Sequence, residues 1–283
     1  MATQFSRLKA MLGKISLILT ISLVAGCSVG LPLQKPGIAF KAPGACAEFV
    51  VNSGEQKYTK HTVQTYNEKG LLVEIRTVDV TTDAIISQDK FVYNDKGLLT
   101  LMTSANPAGQ IYKWIHYRYD SSGRKIREGY SEGTEDQLIF YSQFGYDSTG
   151  QLTVKETLRA DAENYSNAEF YFYDDKGRKV LEELDDDGDS LTDRLYKYRY
   201  DEEGRLVQII NARGDDGTVF STYNYSYDPL KNEQTILHFD ADGKFISEKI
   251  DTKDEFGNLY LSVQKVGPGK KARIIFYDYS CYR

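Results

Sequence analysis

The densest run of side chains able to hold an ion is Asp185-Asp186-Asp187-Gly188-Asp189-Ser190-Leu191-Thr192-Asp193. Hard oxygen donors at alternate positions suit calcium, with Asp185, Asp187, Asp189 and Asp193 as side-chain ligands and Leu191 acting through its carbonyl. The twelfth position, where a bidentate acid belongs, is Tyr196. Asp and Gly are also what a polar turn uses, so a calcium loop and a solvated acidic turn both fit. A second cluster surrounds the one tryptophan of the chain: strand alternation places Tyr112, Trp114, His116 and Arg118 on one face. An indole beside a tyrosine and an arginine can stack on a sugar or a peptide ring, or it can cover the sheet or meet a partner. For catalysis the residues offer little. His61, His116 and His238 show no metal-ligand spacing, and G-x-S-x-G, H-E-x-x-H, P-loop and Cys-x-x-Cys motifs are all missing. No enzymatic activity is expected.

What must position these residues is a repeat. Tyr66, Tyr93, Tyr119, Tyr146, Tyr173 and Tyr200 recur at steps of 26 or 27 residues, and each opens a short segment ending four residues later in Gly70, Gly97, Gly123, Gly150, Gly177 or Gly204. A seventh copy at Tyr227 lacks the glycine, and an eighth around Gly257 lacks the tyrosine. A period of this length defines the architecture. Asp or Asn after the tyrosine bonds the backbone two residues on, and the glycine supplies positive φ, so each block is a type I turn closing a hairpin. A second polar turn follows about halfway through each unit, as in Asn106–Gly109 and Asp240–Gly243. The chain therefore reads as all-β: repeated hairpins in one long antiparallel meander sheet, strongly twisted and curled into a barrel or shell.

Each tyrosine has an aromatic residue two positions before it: Phe91/Tyr93, Tyr117/Tyr119, Phe144/Tyr146, Tyr171/Tyr173, Tyr198/Tyr200 and Tyr225/Tyr227. The residues between them, Val92, Arg118, Gly145, Phe172, Arg199 and Ser226, follow no rule. The regular face is expected to be packed and the irregular one solvated. Gln64 before Tyr66 breaks the pair, as a capping repeat does. Charged Arg118, Lys197 and Arg199 on the irregular face argue against a lipid-facing barrel.

The blocks YDSSGRKI, YDSTGQL, YDDKGRKV and YDEEGRL resemble the YD repeats of the RHS family, in register from about Tyr58 to Tyr279. That resemblance implies strand-turn-strand units in a long sheet that spirals, in large members, into a hollow shell around a toxin. This chain has few copies, no recognisable core segment after them and no C-terminal cargo domain, so the toxin-delivery role is not carried over. The acidic segment looks like the calcium loops of dockerin-like and thrombospondin-type repeats. The first residues resemble a bacterial lipoprotein signal: basic Arg7, Lys9 and Lys14, an apolar run from Ile15 to Val24, then Val24-Ala25-Gly26-Cys27. The resemblance implies an acylated Cys27 that anchors the chain to a membrane without spanning it. The expected division is residues 1–26 leader, 27–45 flexible tether, and 46–283 a YD-repeat β domain of about eight 27-residue units. Ser28 in place of Asp favours the outer membrane if the cell is Gram-negative.

Without residues 1–26 the chain loses three of its 35 Lys+Arg and none of its 41 Asp+Glu, leaving 32 against 41 and a formal charge of −9. Nucleic acid is not an expected partner of so acidic a chain. Two cysteines remain, Cys46 and Cys281, and an exported chain meets an oxidising compartment. They can pair within the chain, stay separate or link two chains. Pairing would bring the ends of the meander together, and about 16 to 18 strands at roughly 4.8 Å would make a ring roughly 25 Å across. The functions expected are a lipid-anchored envelope module binding carbohydrate or protein, or a structural shell or scaffold for a partner protein; an envelope hydrolase ranks behind both.

Overall fold

The computed structural model of the chain describes residues 38–53, 59–79, 81–161, 165–267 and 269–282. The leader, Cys27 and Tyr58 lie outside the described residues. Eighteen strands are described: β1 (Ala47–Asn52), β2 (Thr59–Tyr66), β3 (Leu72–Val78), β4 (Ile85–Tyr93), β5 (Leu99–Ala105), β6 (Ile111–Tyr119), β7 (Lys125–Glu132), β8 (Leu138–Tyr146) and β9 (Leu152–Arg159), followed by β10 (Tyr165–Tyr173), β11 (Lys179–Asp185), β12 (Arg194–Tyr200), β13 (Leu206–Arg213), β14 (Val219–Asp228), β15 (Glu233–Asp240), β16 (Phe245–Lys253), β17 (Leu259–Val266) and β18 (Arg273–Asp278). A short 3₁₀ turn, Ser280–Tyr282, ends the described chain. No helix among the described residues is long and apolar enough to cross a membrane.

Every strand pairs antiparallel with its sequence neighbours, and the meander closes. β1 pairs with β2 through Ala47↔Val63 and Glu48↔Thr62, and with β18 from Ala47↔Asp278 to Asn52↔Arg273. The result is an 18-stranded barrel without a free edge among the described strands.

The tyrosine-opened turns show why these residues make hairpins. In the first, the Gly70 N–H donates to the Asn67 carbonyl, while Asn67 Oδ1 accepts from the N–H groups of Lys69 and Leu71, both at 3.0 Å. Gly70 sits at φ +74°, left-handed backbone that strains residues bearing a Cβ. Asp120, Asp147 and Asp174 repeat this bonding, and the strand register slips by one residue beside each tyrosine, as at Arg118/Tyr119. The seventh turn, without glycine, uses Asn232 at φ 52°, and its strands pair without a slip.

Pairing in register keeps the aromatic pairs on one face. They are half-buried, whereas Val92, Arg118, Phe172, Arg199 and Ser226 between them are exposed. Side chains converge on the concave side of a closed ring, so the shielded row lines the barrel and the irregular row faces out.

Full burial is concentrated where the ring closes. Ile38, Ala42, Ala45 and Tyr279 form a buried cluster, with Tyr277 and Tyr282 packed against it. Of the segment read as tether, residues 38–45 are held against the barrel. The Ala42 N–H donates to Asn258 Oδ1 at 2.8 Å, Asn258 Nδ2 donates to the Phe40 carbonyl at 2.8 Å, and Lys41 Nζ bonds the Gly257 carbonyl. Asn258 is fully buried, and residues 27–37 of that segment lie outside the described residues.

Candidate functional site

The inward row is built from the repeat. Tyr93, Tyr119, Tyr146, Tyr173 and Tyr200 each reach across to the first residue of the strand beside them, donating to the carbonyls of Leu72, Leu99, Lys125, Leu152 and Lys179 at 2.7–2.8 Å. Tyr66 makes the same reach at greater length, to the Ala45 carbonyl 21 residues earlier at 3.3 Å. Its hydroxyl bonds Gln64 Oε1 at 2.6 Å, which gives the odd glutamine of the first copy its partner.

Between the ring columns sit lysines. Lys125 Nζ lies 5.6 Å from the Tyr117 ring and 4.3 Å from that of Phe144, and bonds Glu128 at 2.6 Å. Lys179 repeats the arrangement, 5.3 Å from Tyr171 and 4.5 Å from Tyr198, with Glu182 at 2.5 Å. Lys155 pairs with Glu169 at 2.6 Å. Each cation thus meets an anion and, in two cases, two ring faces, which is the condition for keeping charge in a shielded place.

Burial pushes the Tyr117 phenol up to about 12, with the Glu128 carboxylate adding to it. Burial also raises Tyr171 and Tyr198, and so do their hydrogen bonds to Glu169 and Glu182. Burial works to raise Glu169, but the bonds from Lys155 and Tyr171 outweigh it and hold the carboxyl below its usual range. Phenols held protonated in this way remain hydrogen-bond donors to the neighbouring carboxylates.

Tyr112, Trp114, His116 and Arg118 lie together on the outward face of β6. Tyr112 is exposed; Trp114 and His116 are half-buried, and His116 Nε2 lies 3.2 Å from Glu135 Oε1. Of the four acidic candidates, oxygens of Asp185, Asp187 and Asp193 come within 4.8 Å of one another. Asp189 is outside that group, its Oδ1 accepting from the Leu191 N–H at 2.8 Å. Asp185 accepts from the Gly188 and Ser190 N–H groups, so the loop is also an ordinary side-chain-braced turn. The three carboxylates can serve calcium, and the other ligands of such an ion would be carbonyls and water. A melting temperature unaffected by millimolar calcium or chelator removes that reading. Cys46 and Cys281 are bonded to each other, with Cα atoms 6.0 Å apart.

A set of residues not anticipated from the sequence is the arginine after the turn glycine. Arg124, Arg178 and Arg205 each pair with the aspartate of their own turn at 2.7 Å. Each also lies over the tyrosine of the next repeat: Arg124 is 4.9 Å from the Tyr146 ring centre, Arg178 4.8 Å from Tyr200 and Arg205 5.6 Å from Tyr227. The readable signal was a basic residue four positions after the turn acid and 22 before the next tyrosine.

Residues 173–216 match the family model for the RHS repeat. That stretch, from Tyr173 at the end of β10 to the connection after β13, is thus similar to an RHS repeat, within an all-β barrel. Among solved structures it is similar to a TcdB2-TccC3-TEV crystal structure, at 13% identity and a TM-score of 0.37 over 78% of this chain and 14% of that one. It is also similar to the Photorhabdus luminescens Tc holotoxin pore, at 12% identity and 0.35 over 79% and 14% of the two chains. A porin-like protein from Bacteroides uniformis aligns at 10% identity and 0.43 over 84% of this chain and 98% of that one. The chain spans 14% of the length of the first of these. No curated protein matches the chain.

Proposed function

We propose that the protein is a lipid-anchored scaffold of the cell envelope, a closed YD-repeat barrel that holds a protein partner on side-chain surfaces. The observation that carries this is the pairing of β1 with both β2 and β18. A closed ring offers no strand edge for a partner to extend, so recognition falls to side chains on the rims and the outer face. Inward groups such as Lys125 with Glu128 and Tyr171 with Glu169 are already partnered, which favours a supporting role over turnover. In this reading Cys27 carries the lipid and residues 38–45 hand the anchor over to the barrel.

In-cell crosslinking of the full chain, followed by fractionation, tests the proposal. The expected result is a palmitate-labelled membrane protein with a specific crosslinked partner, with the label and the membrane fraction both lost in Cys27→Ser. A protein that stays soluble, or that crosslinks to nothing, sinks the reading. The outward Tyr112, Trp114 and His116 supply a second reading, a sugar platform. A glycan-array profile unaltered by Trp114→Ala ends it.

A further inference from the structure

The two rims of the barrel differ. The connections at the rim opposite the tyrosine-opened turns carry, among the described residues, twelve acidic side chains against three basic ones, net −9, whereas the tyrosine-opened connections carry eleven against seven, net −4. Arginines pair with acids at both rims: Arg124, Arg178 and Arg205 with Asp120, Asp174 and Asp201 at the tyrosine-opened one, and Arg159, Arg194 and Arg213, at the ends of their strands, with Asp161, Asp186 and Asp215 at the other.

The more acidic rim also shows apolar pairs at the starts of three like-directed strands. These are Ile85 and Ile86 on β4, exposed 40% and 48%, Ile111 and Tyr112 on β6, 41% and 42%, and Ile139 and Phe140 on β8, both 38%. The connections leading into these strands, residues 79–84, 106–110 and 133–137, contribute Asp79, Asp83, Glu135 and Asp136 and no lysine or arginine. Glu135 is already drawn to His116. Consecutive exposed apolar residues at a strand start project to both sides, so no rotation of the strand hides them both.

From this pattern we infer that the stretch of rim at β4, β6 and β8 is a docking surface for a basic amphipathic helix of a partner protein. The argument is charge and spacing. Apolar pairs two strands apart recur at roughly 9.6 Å along the rim before tilt, and a helix repeats a face every seven residues, about 10.5 Å. Flanking lysines or arginines on that helix would meet the carboxylates. A second copy of this chain would bring like charge to like charge, and anionic lipid would be repelled for the same reason. The inference rests on the scaffold reading and names the chemistry of its partner.

The test uses the full chain in nanodiscs of zwitterionic lipid, with empty discs as the blank. The probe is a fluorescent 21-residue helical peptide with leucine at heptad positions a and d and lysine elsewhere, beside a twin carrying glutamate for lysine. The lysine peptide is expected to bind saturably, more weakly as salt rises, and the glutamate twin not to bind. Ile86→Ser with Ile139→Ser should weaken binding roughly tenfold, and Asp83→Asn with Asp136→Asn should flatten the salt dependence. Leu230→Ser with Phe256→Ser, at the other rim, should leave both unchanged, and circular dichroism checks that each variant is folded. No saturable binding, equal binding of the twin, or indifference to the rim variants overturns the inference. So does a concentration-dependent dimer abolished by the same serine variants, which would assign the rim to a second copy. If the peptide fails while in-cell crosslinking still finds a partner, only the rim assignment falls; if the peptide binds while crosslinking finds nothing, the scaffold reading falls.

Discussion

The Tyr200 hydroxyl donates a 2.8 Å hydrogen bond to the carbonyl of Lys179, 21 residues earlier and the first residue of the neighbouring strand. Bonds of the same kind from Tyr93, Tyr119, Tyr146 and Tyr173 fasten each hairpin to the one before it. This gives the position a use for tyrosine where phenylalanine would bury the same ring: the phenol bonds the carbonyl of a residue two positions before the first register pair between the two strands, Leu181↔Lys197 in the case of Lys179.

Tyr200→Phe keeps the ring and removes the donor, so it should cost about 1–2 kcal/mol. Thermal melts should place it several degrees below the parent, with Tyr112→Phe, on the exposed outer face, within about 0.5 kcal/mol of it. Equal melting of the two variants would show that the hydroxyl bond contributes nothing.

Arg178 joins two repeats, bonding Asp174 at 2.7 Å and lying 4.8 Å from the Tyr200 ring centre. Lysine cannot supply both a planar stacking face and a fork to the carboxylate. Arg178→Lys should therefore lose about 0.5–1 kcal/mol, and in a double-mutant cycle with Tyr200→Leu the two losses should not add. Strict additivity would mean that the arginine serves only its own turn.

The repeat was legible because its signals are local. Tyr119, Asp120 and Gly123 lie within five residues, and alternation alone separates Phe91 and Tyr93 from Val92. Closure was not legible in the same way, because β1 (AEFVVN) carries no turn motif and its two partners lie at opposite ends of the chain. Cys46 and Cys281 pointed toward closure but left separate thiols equally open. The arginine-to-tyrosine contact was missed for a related reason: its partners are 22 residues apart and meet only when neighbouring hairpins pair. In the acidic loop, spacing treated Asp189 as equivalent to Asp187, whereas Ser190 at φ 72° redirects the chain and Asp189 braces the Leu191 N–H instead.

Shielded phenols make the barrel sensitive to alkali. Burial is the main cause that raises Tyr66, Tyr117, Tyr277 and Tyr279 from 10.0 to about 12. A group that holds its proton more tightly folded than unfolded contributes stability that is complete below pH 10.0 and is lost as pH climbs toward about 12. Tyrosinate absorbance should therefore rise together with the loss of β-sheet ellipticity in that interval. A tyrosinate signal near pH 10 in protein that remains folded, if Tyr117→Phe removes it, would show that this phenol is open to water.

The bond between Cys46 and Cys281 spans 235 residues, yet it does not close the ring by itself, because β1 is held to β18 by six register pairs. What the bond adds is a constraint on the unfolded chain, worth about 5 kcal/mol at most on loop-entropy grounds for so long a loop. Protein isolated from an oxidising compartment should show no free thiol in its mature domain. The double variant Cys46→Ser, Cys281→Ser should keep its far-ultraviolet β signature and melt well below the parent, and reductant should bring the parent down to the same temperature. Because the ladder survives, proteolysis of the variant below its melting point should spare β1. Rapid cutting within residues 47–52 would instead mean that backbone pairing cannot hold the two ends of the meander without the sulfur bridge.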